Sequence, residues 1–221
     1  MDMDATQERK EMVARLRDRG YLTEERAIEA MLKVPRHLFM PQAIQGLAYE
    51  DRPQNIGCGQ TISAPHMVAI MVEALEAGPG MKVLEVGAGS GYHAAVLAEL
   101  VRPGGKVFAV ERVPELVGRA KGNLASAGYE DVTVLLSDGT MGLSEEAPFD
   151  RISVAAGAPS VPRPLMDQLA EDGIMLVPVG GRGHQELIRI ERQGDKFSRS
   201  ELGGVVFVPL IGEHGHPDHL G

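Results

Sequence analysis

Val83-Leu84-Glu85-Val86-Gly87-Ala88-Gly89-Ser90-Gly91-Tyr92 decides the fold. An apolar run stops at three glycines on alternate positions, and a helix-like stretch, 93–100, follows at once. This is the strand–glycine loop–helix junction that opens a nucleotide-binding α/β domain. Glycine suits a backbone that turns tightly and passes close to a ligand, because it has no Cβ to clash. The spacing narrows the ligand. A dinucleotide fingerprint is G-x-G-x-x-G, and its sixth position here is Tyr92. A tight β–α turn with no ligand is the plainer reading of the same residues, although such loops commonly bind nucleotides.

Downstream, strands and helices alternate. A second strand is expected at Lys106–Glu111, then a helix over 114–127 with Pro114 in its first turn and Gly128 beyond its end. Strands follow over 132–136, 149–155 and 173–179, with a short helix over 164–170. Two more strands, 185–192 and 196–208, flank the turn Arg192-Gln193-Gly194-Asp195 and suggest a hairpin. The expected fold is α/β: a doubly wound, Rossmann-like, mostly parallel seven-stranded sheet. Helices cover both faces, and one antiparallel strand lies near the C-terminus. A ligand should lie across the carboxyl ends of the first three strands. Glu85, Gly87, Gly89, Glu111, Asp138 and Gly139 all fall there. Glu111 stands at a strand end, 24 residues after Gly87, where an acid accepts hydrogen bonds from ribose hydroxyls; a solvated charge is the bland alternative. The Asp138 carboxylate is placed to accept from an adenine amino group.

Upstream, helices are expected over 6–20, with Gly20 as C-cap, and over 24–33, with Thr23 as N-cap. They read as a helical appendage that, with a loop over 49–59, occupies residues 1–60; residues 61–221 are the core domain. A further helix is expected at Pro65–Leu75, with Ser63 or Ala64 near its N-cap. Capping is the ordinary role of a serine or threonine in such a place, so Thr61 and Ser63 carry that reading beside any chemical one.

Composition excludes several classes. The formal charge is −9 and no run of basic residues occurs, which argues against a nucleic-acid partner. The one cysteine, Cys58, rules out an intrachain disulfide and a cysteine-built zinc site. The polar, acidic start is no signal peptide, and the apolar runs are too short to span a bilayer. A monomeric cytoplasmic protein with no membrane partner is expected. The tail Glu213-His214-Gly215-His216-Pro217-Asp218-His219 has the residue types of a metal cluster but no spacing that fixes a geometry, and no metal site is assigned.

With an acid two residues before it, G-x-G-x-G resembles motif I of the S-adenosylmethionine-dependent methyltransferases. Gly59-Gln60-Thr61-Ile62-Ser63-Ala64-Pro65-His66-Met67 is more specific. It resembles the protein-L-isoaspartate (D-aspartate) O-methyltransferases. Val34-Pro35-Arg36-His37-Leu38-Phe39, Asp138-Gly139, 145–150, 176–180 and 207–210 are similar to that family as well. The resemblance implies methyl transfer from S-adenosyl-L-methionine to the free α-carboxylate of L-isoaspartyl, and by the family's name D-aspartyl, residues in damaged proteins and peptides. The products are S-adenosyl-L-homocysteine and a methyl ester that collapses to succinimide. It further implies Ser63 as the active-site serine and Gln60, Thr61 and Ile62 as a segment lying against cofactor and substrate. Gly87, Glu111, Asp138 and Gly139 match cofactor positions. Cys58, Thr140 and the histidine-rich tail depart from the family pattern.

An ionised carboxylate is already nucleophilic at neutral pH, so the protein's task is placement rather than deprotonation. Ser63 would orient the acceptor, helped by N–H groups at the helix start near Pro65. An anionic acceptor also asks for a local positive field, which the dispersed basic residues do not locate. Three rivals stay open: a methyltransferase for a small molecule or nucleic acid, a non-catalytic binding module, and a nicotinamide oxidoreductase. The Thr-Ile-Ser segment, the intact site residues and Tyr92 weigh against them in turn.

Overall fold

The structure is a computed structural model and describes residues 2–218. His219 of the tail lies outside the described residues. From the N-terminus the chain forms α1 (Asp2–Asp18), α2 (Glu25–Lys33), β1 (Gln54–Gly57), β2 (Gln60–Ile62) and α3 (Pro65–Leu75). Next come β3 (Lys82–Val86), α4 (Tyr92–Val101), β4 (Lys106–Glu111), α5 (Pro114–Ser126) and β5 (Thr133–Leu136). The last elements are β6 (Phe149–Val154), α6 (Arg163–Asp167), β7 (Leu169–Gly181), β8 (His184–Gln193) and β9 (Lys196–Val205).

Seven strands make one sheet in the order β5-β4-β3-β6-β7-β8-β9. Pairing is parallel from β5 to β7, whereas β8 runs antiparallel to both neighbours. The expected Rossmann-like sheet with one antiparallel strand is therefore present. β3 is where the winding reverses: the chain steps from β3 to β4 to β5 on one side, then returns to place β6 on the other. Loops diverge there and leave a crevice at the carboxyl ends of the strands.

Period-two alternation divides the interior between the two faces. Val83, Val107, Ala109 and Val134 share one apolar cluster with residues of α1 to α5. Leu84, Val86, Phe108, Val110 and Val154 share the other with Leu165 of α6 and Leu210 of the tail. Both faces are covered, but unequally, with short α6, 3₁₀ turns and the tail on the second. Met12 and Leu16 of α1 and Met31 of α2 are buried in the first cluster beside Leu97 of α4. No helix among the described residues is long and apolar enough to cross a membrane.

Two local expectations are corrected. The segment 49–59, read as loop, contains β1, which pairs antiparallel with β2 as a hairpin. Buried Gln54 and Ile56 alternate with exposed Asn55, too short a pattern to register as a period. Cys58 and Gly59 form the two-residue connection with φ of +53° and +70°, the sign that primed hairpin turns require. Thr23 does not cap α2 with its own side chain. Its hydroxyl donates to Glu73 Oε2 of α3 (2.7 Å), while Glu73 Oε1 accepts from the backbone N–H groups of Thr23 (3.0 Å) and Glu24 (2.9 Å). A carboxylate from another helix thus holds the two N–H groups just ahead of α2, where the helix dipole favours negative charge.

Candidate active site

A cleft of about 1040 Å³, counted to its open mouth, lies at the winding reversal. The glycine loop forms its floor. Gly87 and Gly91 have φ of +94° and +86°, a region costly for any residue with a side chain. A Cβ on Gly91 would also meet Leu124 of α5 at 3.1 Å. Gly91 is the N-cap of α4, and the Ser90 hydroxyl accepts from the first N–H group of that helix, Tyr92 N–H, at 3.3 Å.

Glu85 and Glu111 line the cleft beside Gly87, Gly89 and Gly139. Glu85 is fully buried, and neither carboxylate oxygen has a hydrogen-bond partner among the described residues. His93 Nδ1 is 3.1 Å from Oε1, an ion-pair distance with alignment short of a hydrogen bond. Burial raises the Glu85 pKa, His93 opposes this, and the charge on Glu111 adds to it. A buried carboxylate left this way is costly unless a donor or cation joins it. Glu111 Oε2 accepts from Gly89 N–H (3.0 Å) and Oε1 from Val113 N–H (3.0 Å). Each oxygen keeps one lone pair, enough for two hydroxyl donors.

Asp138 departs from expectation in part. It is not among the residues lining the cleft, although its neighbour Gly139 is. Its Oδ1 accepts from the Thr140 backbone (2.9 Å) and hydroxyl (2.7 Å), and its Oδ2 from Glu213 N–H (2.8 Å). Desolvation pushes its pKa up, but these bonds together hold it below the ordinary carboxylate value. Asp138 anchors the tail, and only Oδ2 keeps a lone pair for a ligand amino group. Gly139 has a spatial reason to be glycine: a Cβ there would lie 2.5 Å from Val86 Cγ1.

The opposite wall comes from the β1–β2 hairpin and the residues leading into α3. Gln60, Thr61, Ile62 and Ser63 all line the cleft. Ser63 is half-buried and does not cap α3. The N-cap is Ala64, and the capping carboxylate is Asp51, whose Oδ1 accepts from His66 N–H at 2.9 Å. The same oxygen is 2.8 Å from His66 Nδ1. The capping reading of Ser63 is thereby excluded, and its hydroxyl makes no hydrogen bond among the described residues. The same geometry corrects the anion site expected at the start of α3, which the chain's own Asp51 fills.

Sequence reading missed several residues here. Arg36, in the quoted Val-Pro-Arg-His-Leu-Phe stretch, is fully buried and donates from Nη2 to the Ser63 carbonyl at 2.7 Å. A lone cation inside an apolar run was the available signal. His93 lines the cleft beside Glu85, and its position just after the glycine loop marked it. The tail contributes Phe207 and Ile211 to the cleft; the family-like stretch 207–210 was the signal for the first, and Ile211 had none. His214 N–H donates to Thr140 Oγ1 (3.1 Å) and Arg112 pairs with Asp218, so the two departures at Thr140 and the tail are one arrangement. Among the described residues no group of three metal-ligating side chains occurs.

Comparison with known proteins bears on this geometry. The model of the family described as protein-L-isoaspartate (D-aspartate) O-methyltransferase matches residues 7–215. A Methanopyrus kandleri protein named protein-L-isoaspartate O-methyltransferase is 57% identical over 209 residues, covering 94% of this chain and 92% of its own. One of the same name from Aeropyrum pernix is 53% identical, covering 94% and 81%. The crystal structure described as a Plasmodium falciparum protein-L-isoaspartate O-methyltransferase in complex with S-adenosyl-L-homocysteine superposes with a TM-score of 0.82. It is 29% identical and covers 92% of this chain and 98% of its own.

Proposed function

The chain belongs to the protein-L-isoaspartate (D-aspartate) O-methyltransferase family, and from that premise we propose that it methylates the free α-carboxylate of L-isoaspartyl residues in damaged proteins and peptides, using S-adenosyl-L-methionine. The observation that carries this reading is one cleft lined both by the glycine loop with Glu111 and by Ser63 with an uncommitted hydroxyl.

The residues present fit the cofactor. Glu85 offers a buried carboxylate without a hydrogen-bond partner to a ligand that carries an ammonium and a sulfonium. Glu111 offers two lone pairs to the ribose hydroxyls, and the loop through Gly87 and Gly89 lets the backbone approach closely. Gly139 gives room for the base, with Asp138 behind it, and Gln60, Thr61 and Ile62 close the cofactor from the hairpin side. When bound, S-adenosyl-L-methionine supplies an electrophilic methyl group. Ser63 donates its hydroxyl proton to one oxygen of the acceptor carboxylate and fixes the direction from which the other approaches. No general base is required, since the acceptor is ionised at neutral pH. The ester formed loses methanol as the chain closes to succinimide, a step in free peptide that needs none of these residues. The rest of the reading is a cytoplasmic monomer with no nucleic-acid or membrane partner; the acidic charge supports the lack of a nucleic-acid partner, and no helix among the described residues is long and apolar enough to cross a membrane.

The test supplies labelled S-adenosyl-L-methionine and two peptides differing only in an isoaspartyl or a normal aspartyl residue. Base-labile label, released as methanol, is expected on the isoaspartyl peptide alone. Label on neither peptide, with the cofactor still bound in a calorimeter, refutes the assigned acceptor.

A further inference from the structure

An anionic acceptor needs a positive field near Ser63, and the start of α3 does not supply it because Asp51 occupies the N–H group of His66. The cation hydrogen-bonded to Ser63 is Arg36. Its Nε donates to the Ala48 carbonyl (2.8 Å) and its Nη2 to the Ser63 carbonyl (2.7 Å). Its side chain is fully buried, yet it forms no ion pair among the described residues, and Nη1 has no hydrogen-bond partner there. Its plane lies over Tyr92, with Cζ 4.8 Å from the ring centre.

A buried guanidinium without a carboxylate is an unusual and costly arrangement, and arginine does not escape the cost by losing its proton. Burial lowers its pKa, opposed in turn by Tyr92, Tyr49 and Asp51. Neither tyrosine neutralises it: burial pushes the Tyr92 pKa up to about 12 and raises that of Tyr49, so both phenols stay uncharged. Asp51 is the one acid among these influences, and its carboxylate is already engaged by His66 and, at 3.3 Å, by Arg19. A full positive charge therefore stands behind Ser63 in a dry setting, where screening is weak.

We propose that Arg36 is the positioning residue for the acceptor: its guanidinium fixes the Ser63 carbonyl and supplies the positive field that draws a carboxylate to the Ser63 hydroxyl. The proposal rests on the function assigned above and deepens it. Charge carried by a residue beneath the serine, rather than beside the substrate, leaves the acceptor's second oxygen open to the methyl group. It also explains how a chain of net charge −9 takes an anionic acceptor without a basic surface patch.

The test compares two peptides on enzyme saturated with S-adenosyl-L-homocysteine. One carries the isoaspartyl residue; the other is identical except that the free α-carboxylate is a primary amide. Wild-type enzyme should favour the carboxylate on the order of ten- to fiftyfold, the scale of one weakly screened charge in a partly buried setting. Arg36→Met should bring the ratio near one, and Arg36→Lys should keep most of it, with S-adenosyl-L-homocysteine affinity within about twofold in both. Equal loss of affinity for both peptides in Arg36→Met, or an unchanged ratio, overturns the proposal. A measurement on wild-type protein covers the case of a variant that does not fold. The Arg36 Nε resonance should shift with the carboxylate peptide and not with the amide, and no difference between the two overturns the proposal equally. Methylation of the isoaspartyl peptide by wild-type enzyme is recorded first. Its absence removes the function itself, whereas activity with an unchanged ratio in Arg36→Met removes only the role of Arg36.

Discussion

The two walls of the cleft are built by different means. One wall is an output of the sheet: Glu85 and Glu111 sit near the ends of adjacent parallel strands, in a register fixed by Val86 opposite Val110. The other wall is a nine-residue hairpin, β1–β2, hung on the core by side chains from distant segments. Asp51 caps α3, Arg36 holds the Ser63 carbonyl, and Arg119 of α5 donates to the Ile56 carbonyl of the hairpin at 2.5 Å. The charges divide the same way. An acid lies buried in the sheet wall and a cation beneath the hairpin wall, each without a full complement of partners. A cationic cofactor and an anionic acceptor would complete the two sides in turn.

If the walls are separable in this sense, substitutions should sort cleanly between cofactor affinity and turnover. The largest effect is expected from Glu111→Ala, which removes two charge-assisted acceptors for hydroxyl groups. At about 1.5–3 kcal/mol each, their loss should weaken S-adenosyl-L-homocysteine binding by roughly 10²–10⁴-fold in calorimetry. The KM for acceptor peptide, extrapolated to saturating cofactor, should hardly move. Ser63→Ala should do the reverse, lowering kcat about 10- to 100-fold with cofactor affinity within twofold. Equal losses in both quantities for either variant would show that the walls act as one unit.

Glu85→Gln sharpens the comparison by separating stability from binding. Burial raises the Glu85 pKa. Between its ordinary value and the raised one, the folded state holds a proton that the unfolded state has released, so cofactor-free protein loses stability as pH rises through that window. The variant lacks this loss. At neutral pH its cofactor-free Tm should be higher than that of wild type, by about 2–4 °C for each kcal/mol of burial cost removed in a chain of this size. Its cofactor affinity should fall about tenfold. A Tm that follows the wild-type pH profile would place the cost elsewhere. The smallest effect is expected from Thr140→Val, which removes the hydroxyl joining Asp138 to the tail. About 1 kcal/mol of lost bonding should loosen cofactor binding no more than fivefold and speed proteolysis after residue 211.

The same division governs what the sequence disclosed. The sheet wall was legible because its signals are local: β3 and the glycine loop are contiguous, and Glu111 follows at a set distance along the chain. The seven strands, mostly parallel, and the antiparallel strand near the C-terminus followed from periodicity and one turn, whereas the order of the strands did not. The hairpin wall was legible only by resemblance, through Gln60 to Ser63. Its supports depend on contacts between residues far apart in the chain, as when Glu73 holds the N–H groups ahead of α2 or Asp51 caps α3. Thr23 and Ser63 both had the chemistry of caps and were displaced by carboxylates that no local pattern could reveal. Tyr92 shows both sides at once. In the sequence it marks a departure from the dinucleotide fingerprint, and in the structure its ring lies beneath Arg36, tying the loop of one wall to the support of the other.

The turn that joins β1 to β2 holds the chain's one cysteine, exposed at the tip of the hairpin wall. Cys58 Sγ donates to Glu115 at 3.2 Å, a bond that, with the carboxylate's charge, raises the thiol pKa. A thiol-reactive dye should therefore attach at this single place, given mildly alkaline labelling. Two residues separate it from Thr61 at the cleft, so the fluorophore would sit on the hairpin itself. The fold thus carries its own attachment point for an optical probe, and the arrival and departure of peptide could be followed in real time without adding a residue.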